Sequence, residues 1–372
     1  IRVDSIGNES NTGGPVLSGI TTFSGQQYFI PPTGTTAERP SDCPPGSIRF
    51  NTDSAHLEYW NGLVWLEFEA TSEELGDQNN SNSTGGTGHR GVFGGGYTST
   101  NTIEYITIST AGNAQNFGDL FQAGQTSGSV CASRTRGVWM GTSTPTRFNV
   151  IQYITISSTG NAQNFGDLSQ SKSGGAGFSN QTRGITCGGS QPSNSDKIEY
   201  ITIATTGDAQ DFGTLSVATS YLDGCSSSTR GMFFAGNSNG NTIGYVTITT
   251  TGNAQDFGDV TTATLAGAGS CSNSTRGLVL GGQTPGTVNT IQFITIATTG
   301  NSQDFGDLTT ATRGNAAVAS PTRAISSQGN DSSSNINIMD FVQIASTGNA
   351  VDFGDIYNKR NVGGCSNGHG GL

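Results

Sequence analysis

Residues 103–120 read IEYITISTAGNAQNFGDL, and residues 151–168 read IQYITISSTGNAQNFGDL. The block stands six times in all. In every copy its two aromatic residues are twelve apart: Tyr105 and Phe117, Tyr153 and Phe165, Tyr200 and Phe212, Tyr245 and Phe257, Phe293 and Phe305, Phe341 and Phe353. An arginine precedes each copy, at 90, 136, 183, 230, 276 and 323, mostly within TRG and ahead of an apolar run such as GVFGGG or GLVLGG. These arginines are 46 or 47 residues apart. A fixed period in the forties admits helix pairs or four-stranded blades. Composition chooses the second: 56 of 372 residues are Gly, 12% are charged, and the repeats are rich in Thr, Ser, Ile and Tyr, which suit strands and tight turns. No helix is predicted in residues 89–372.

Each copy divides into four strands: A after the arginine (RGVFGG), B (IEYITI), C (NAQNFGDL) and D, ending near GSVCAS. Strand B is apolar on both faces at its centre, as a sheet covered on both sides requires. The expected fold is all-β, a six-bladed, kelch-like β-propeller over 89–372 in which each copy is one blade, stable only between neighbours. Gly370 stands 47 residues after Arg323, where a seventh copy would begin. The two ends of the domain are therefore expected to meet and close the ring, by a strand the sequence does not name.

Up-and-down connectivity places the A–B and C–D loops at one end of the sheets and the B–C and D–A turns at the other. The B–C turn (STAGNAQ, TTGDAQ, TTGNSQ) keeps its length. The interval from arginine to first aromatic, which spans A–B, runs 15, 17, 17, 15, 17 and 18 residues, and its sequence is rewritten in each copy. C–D loops vary from FQAGQTSG to SVATSYLDG and YNKRNVGG. Loops released from a structural rule are where recognition is built on a rigid scaffold. The candidate contacts, read as exposed, are Tyr97, Arg147, Phe148, Tyr221, Arg313, Tyr357 and Arg360. Aromatic faces stack on sugar rings or protein, and arginine offers a fork of donors. For any single residue, drift in an unconstrained loop is the plain alternative.

The repeated arginines and the FGD carboxylates (Asp119, Asp167, Asp259, Asp307, Asp355, with Thr214 in the third copy) invite a catalytic or metal reading. Repetition opposes it: an active site breaks the symmetry of its scaffold, whereas turn caps and sheet-to-sheet ion pairs recur once per copy. Cys131, Cys225, Cys271 and Cys365 share a position with Phe178 and Val318, which marks a buried apolar slot. Cys187 falls in a strand A and Cys43 near the N-terminus. With no C-x-x-C pair, free thiols are expected. His56, His89 and His369 have no nucleophile or metal-ligand neighbour at useful spacing. No catalytic residue, metal or cofactor is assigned.

The first 88 residues divide into an extended Gly-, Thr- and Pro-rich arm (1–38), a small β-meander module (39–70) and a Gly/Ser/Asn linker (71–88). The meander is expected from three strands, Ser47 to Phe50, Leu57 to Trp60 and Leu63 to Phe68, the last two joined by Asn61-Gly62. So small a unit buries little apolar surface and is expected to pack against a copy of itself or a larger body. No signal peptide or membrane-spanning run is read.

Residues 34–68, GTTAERPSDCPPGSIRFNTDSAHLEYWNGLVWLEF, resemble a module of structural proteins of tailed bacteriophages, marine cyanophages in particular. Its recurring features there are the GTTAERP lead, a G-x-IRFNTD strand and an LEYWNG-x-x-W hairpin. Repeats of the I-x-YITI-x-TGNAQDFGDL type are similar to those of cyanophage virion proteins. The resemblance implies a tail fibre or appendage component at the virion surface. Its N-terminal module would attach to other virion proteins or join copies of the chain, as a trimer, with the distal domain facing outward.

A formal charge of −11 with scattered lysines and arginines lacks the basic footprint of a nucleic-acid binder. Three functions stand: an adhesin whose variable face binds a host-surface glycan or protein, an architectural docking or decoration protein, and a polysaccharide-cleaving enzyme using carboxylates from separate copies. The first is favoured, without enzymatic activity.

Overall fold

The structure, a computed structural model, describes residues 31–54, 56–67, 89–97, 100–143, 145–234, 236–237, 240–261 and 267–372. The arm up to residue 30 and the linker 71–88 lie outside these. The chain divides into two compact units, Ile1–Glu73 and Glu74–Leu372. Among the described residues regular structure is strand apart from one 3-10 turn at Thr36–Glu38, and none of these residues forms a helix long and apolar enough to cross a membrane.

In the small unit, β1 (Thr33–Gly34), β2 (Ile48–Asn51), β3 (His56–Trp60) and β4 (Trp65–Glu67) form one sheet in that order. The expected three-stranded meander is thus corrected to four strands. β1 runs parallel to β2 because the Pro32 and Gly34 carbonyls accept the N–H groups of Phe50 and Thr52; a proline has no N–H to give, but its carbonyl still accepts. The last strand starts at Trp65 rather than Leu63. Asn61 Oδ1 accepts the N–H groups of Leu63 and Val64, each at 2.8 Å, holding residues 61–64 as a loop that pairs Trp60 with Trp65.

The three motif segments of this unit converge on one buried carboxylate. Glu58 Oε2 accepts from Arg39 Nε at 3.0 Å, Arg39 Nη2 at 2.6 Å and Asn51 Nδ2 at 3.2 Å. Arg49 Nε lies 3.4 Å from Oε1. Burial pushes the Glu58 carboxyl up, but the hydrogen bonds from Arg39 and Asn51 and the two guanidinium charges outweigh it and hold it below the ordinary range.

The large unit continues with β5 (Arg90–Gly94), β6 (Thr102–Thr107), β7 (Gln115–Asp119), β8 (Val130–Ala132), β9 (Arg136–Ser143), β10 (Arg147–Thr155) and β11 (Gln163–Asp167). Next come β12 (Ala176–Ser179), β13 (Arg183–Cys187), β14 (Ser190–Gln191), β15 (Ser193–Thr202), β16 (Gln210–Thr219), β17 (Asp223–Ser226), β18 (Arg230–Phe234), β19 (Thr242–Thr247) and β20 (Gln255–Asp259). The chain ends with β21 (Gly269–Ser272), β22 (Arg276–Leu280), β23 (Gln283–Thr284), β24 (Gly286–Thr287), β25 (Thr290–Thr295), β26 (Gln303–Asp307), β27 (Ala316–Ala319), β28 (Arg323–Asn330), β29 (Asn335–Gln343), β30 (Val351–Asp355) and β31 (Gly363–Ser366).

These strands make six larger antiparallel sheets, β31-β5-β6-β7, β8 to β11, β12-β13-β15-β16 with the short β14, β17 to β20, β21-β22-β25-β26, and β27 to β30, while β23 and β24 pair as a separate two-stranded hairpin. The strand pattern A, B, C, D is as read from the sequence, but a sheet is not one copy: each takes its D strand from the copy before. The tight turn between D and A decides this. In the turn after β8, Ser133 Oγ accepts the Arg136 N–H at 3.0 Å and the Ser133 N–H returns to the Arg136 carbonyl at 2.8 Å, a hairpin lock repeated at Asn180, Ser227, Asn273 and Ser320. For the first sheet the lock is made between the first and last strands of the large unit, Asn367 Oδ1 accepting the Arg90 N–H at 2.8 Å beside β31 paired with β5.

Neighbouring sheets are joined by equivalent bonds. The N–H groups of Gly160, Gly207, Gly252, Gly300 and Gly348 reach the carbonyls of Phe117, Phe165, Phe212, Phe257 and Phe305, and Gly112 reaches Phe353, returning the sixth sheet to the first. The D strands likewise contact one another in a closed cycle, β8, β12, β17, β21, β27, β31 and back to β8. The core lies between sheets: Val92, Ile103 and Phe117 of the first pack with Val130, Trp139 and Ile154 of the second. Along the D strands, Ser179, Ser226 and Ser272 Oγ donate to the carbonyls of Ala132, Ser179 and Ser226. The tail seals against this ring, Gly370 N–H on the Ser272 carbonyl at 2.8 Å and His369 Nε2 3.0 Å from the Ala132 carbonyl. Burial drives the His369 imidazole down to about 4.

Candidate functional site

The two ends of the sheets differ in chemistry. At the B–C end the repeated residues hold the sheets together. Each arginine lies over the first aromatic of its own sheet, from 4.3 Å for Arg183 on Tyr200 to 5.0 Å for Arg323 on Phe341. Its Nη1 donates to the next sheet: Arg136 to the Ile203 and Ala204 carbonyls at 2.9 Å, and Arg323 to Ile108 and Ser109 of the first. The second aromatic meets the first edge-on at 5.8–6.0 Å in all six sheets. The twelve-residue spacing produces this geometry, since Tyr105 pairs with Gln115 and places Phe117 diagonally on the same face.

The FGD carboxylates were expected to make caps or sheet-to-sheet ion pairs. They are in no ion pair among the described residues. The backbone carries the contact instead: the Asp119 N–H donates to Asn161 Oδ1 of the next sheet at 3.0 Å, and Asp355 does the same to Asn113.

At the A–B and C–D end, the residue just before the first aromatic of strand B latches the preceding loop in five of the six sheets. Gln152 accepts the Gln122 N–H, Glu199 that of Ser169, Gln292 that of Thr261, Asp340 that of Thr309 and Glu104 that of Tyr357. The fourth sheet has Gly244 there, and a Cβ would strike the Phe233 ring. Without a latch, β16 runs on to Thr219. Glu199 also holds Lys172 at 3.1 Å, both side chains buried, and Glu104 holds Lys359 at 3.7 Å. Burial pulls the Lys359 amine down while Glu104 opposes it.

Past these latches stand the candidate contacts. Tyr97 is 42% exposed, its N–H bonded to the Arg360 carbonyl at 2.8 Å and its ring 4.2 Å beneath the Arg360 guanidinium. Tyr357, 64% exposed, has the Lys359 ammonium 5.2 Å from its ring centre. These three sequence candidates come together where the sixth sheet meets the first. Tyr221 is exposed in the left-handed region (φ 60°), its N–H on the Gly174 carbonyl at 2.6 Å. Arg147 is exposed and reaches Ser190 Oγ at 3.2 Å.

Three expectations of exposure are corrected. Phe148 is half-buried because β9 and β10 extend beyond the expected loop and pair it with Thr142. Arg313 is half-buried, donating to Gln283 Oε1. Arg360 is half-buried by its stacking on Tyr97.

Sequence reasoning missed Phe121 and Val217, 63% and 42% exposed. Phe121 had a signal. It follows FGDL at the repeat position of Tyr357, where the other copies have Ser169, Ser216, Thr261 and Thr309.

The remaining chemistry is structural. All six cysteines are free. Burial drives the Cys187, Cys225 and Cys365 thiols up to about 12, away from nucleophilic thiolate. Among the described residues no three His, Cys, Asp or Glu side chains gather as metal ligands would. No protein-family model and no curated protein matches the chain.

Proposed function

We propose that the large unit is a six-bladed, kelch-like β-propeller on a tailed-phage virion, as a tail fibre or appendage component. Its A–B and C–D face binds a host-surface receptor, a glycan before a protein, and the small unit attaches the chain to other virion proteins. The observation carrying the receptor reading is where apolar surface is exposed. Of the large apolar side chains exposed among the described residues of this unit, Tyr97, Phe121, Val217, Tyr221, Val351 and Tyr357, all but Val351 lie at the variable end. Solvent-facing aromatics beside a half-buried arginine match the stacking and forked donors by which proteins hold sugar rings. The virion identity rests on the motifs of residues 34–68 and on the repeats.

The test is binding of the full chain to intact cyanobacterial cells and to their purified surface polysaccharide, against a Tyr97→Ala, Phe121→Ala, Tyr357→Ala triple variant. Saturable binding weakened tenfold or more in a folded triple variant supports a receptor face. Shortening of the polysaccharide during the assay would move the reading to a hydrolase. Equal binding by both proteins removes this face from recognition, and no binding across a host panel leaves a docking piece within the particle.

A further inference from the structure

The small unit buries an ion pair and leaves its apolar side chains outside. Among its described residues the buried side chains are Arg49, Asn51 and Glu58, and no apolar side chain is buried. Alternation along the strands places Arg49, Asn51 and Glu58 on one face, under the segment carrying Arg39. It places Ile48 and Phe50 of β2, Leu57 and Tyr59 of β3, and Leu66 of β4 on the other. Register makes that second face continuous, since Ile48 faces Tyr59, Tyr59 faces Leu66 and Phe50 faces Leu57. Ile48 is 48% exposed, and Leu57 and Leu66 are each 38% exposed.

A sheet this small needs its apolar face covered to stand in water. The charge distribution says by what. Arg39, Arg49, His56, Glu58 and Glu67 all belong to the opposite face, where they bond one another. Among the described strand residues, the apolar face carries no ionisable group except the Tyr59 hydroxyl. Copies of a chain of net charge −11 repel over most of their surface, but this face can meet its own image without burying a charge. Symmetric interfaces between identical subunits are of this apolar, charge-depleted kind. We propose that copies of the chain associate through the Ile48, Phe50, Leu57, Tyr59 and Leu66 face of the small unit. This holds whatever the large unit binds.

The experiment is light scattering on the full chain after gel filtration, comparing it with a Leu57→Asp, Leu66→Asp variant. Trp60 and Trp65, 5.7 Å apart beside the buried ion cluster, report folding of the small unit through their near-ultraviolet signal. The expected result is a multiple of 38.2 kDa for the native chain and the single-chain mass for the variant, with the tryptophan signal kept. If the double variant loses that signal, Leu66→Thr is read instead, and a dissociation constant raised at least tenfold supports the face. A native chain of single-chain mass overturns the proposal and points to residues 1–30 or a foreign protein as the cover. A multimer unaffected by the folded variant also overturns it, placing association elsewhere.

Discussion

Arg276 belongs to two sheets at once. Its guanidinium lies 4.8 Å above the Phe293 ring of its own sheet, and its Nη1 donates to the Ile344 and Ala345 carbonyls of the next at 2.9 and 3.0 Å. Charged hydrogen bonds contribute about 1.5–3 kcal/mol and a cation over a ring about 0.5–2 kcal/mol. Arg276→Ala is therefore expected to lower unfolding free energy by about 2–4 kcal/mol in urea, whereas Arg147→Ala, at an exposed single contact, stays within about 0.5 kcal/mol. Equal losses would refute the division between structural and surface arginines. Asp223 makes a pH prediction. Burial pushes its carboxyl from 3.8 up to about 7, and the N–H groups of Gly224 and Ser270 only partly oppose this. The folded chain thus holds a proton that the unfolded chain releases near 3.8. Its contribution to stability is whole below that value and is lost as pH rises through 7. Asp223→Asn should melt like the native chain at pH 4 and clearly higher at pH 8; the same difference at both would count against a protonated carboxyl in the folded chain.

Among elements, the C strands explain why FGD keeps its glycine. Gly258 sits at φ 147°, and a Cβ there would overlap the Gly300 carbonyl of the next sheet, whereas around Gly252 nothing lies within 4 Å. Gly258→Ala is expected to destabilise by more than about 1 kcal/mol and Gly252→Ala to change stability by less than about 0.5 kcal/mol, by chemical denaturation. Matching effects would remove close approach as the reason. The C strands are also the outer edge of every sheet, and they carry Asp119, Asp167, Asp211, Asp256, Asp259, Asp304, Asp307, Asp352 and Asp355. Charge on an exposed edge opposes pairing with another chain, so much of the acidity has a structural use. Strands A to D and the buried cysteine slot were legible because a strand alternates every two residues and the copies align themselves. The loop character assigned to Phe148 failed because nothing local distinguishes a loop from a hairpin that extends on pairing.

For the whole molecule, the closing contacts decide stability. Deleting residues 362–372 would strip β31 from β5 and Asn367 from Arg90, leaving one sheet short of its D strand and the cycle open. In a fold whose units lean on neighbours, that loss spreads through adjacent interfaces. The truncated chain should melt below any single-residue variant above and less cooperatively in calorimetry; an unchanged melting curve would mean closure is dispensable. By itself the sequence determined the all-β class, the six copies, the four strands of each and the structural duty of the repeated arginines. These follow from period and alternation, which are one-dimensional. Tertiary structure alone decided that each sheet borrows its D strand, that Asn367 locks Arg90, that Arg39 and Asn51 meet on Glu58, and that Tyr97 and Arg360 stack. Each of these joins residues whose proximity depends on the folded path of the chain, and no local pattern encodes that path.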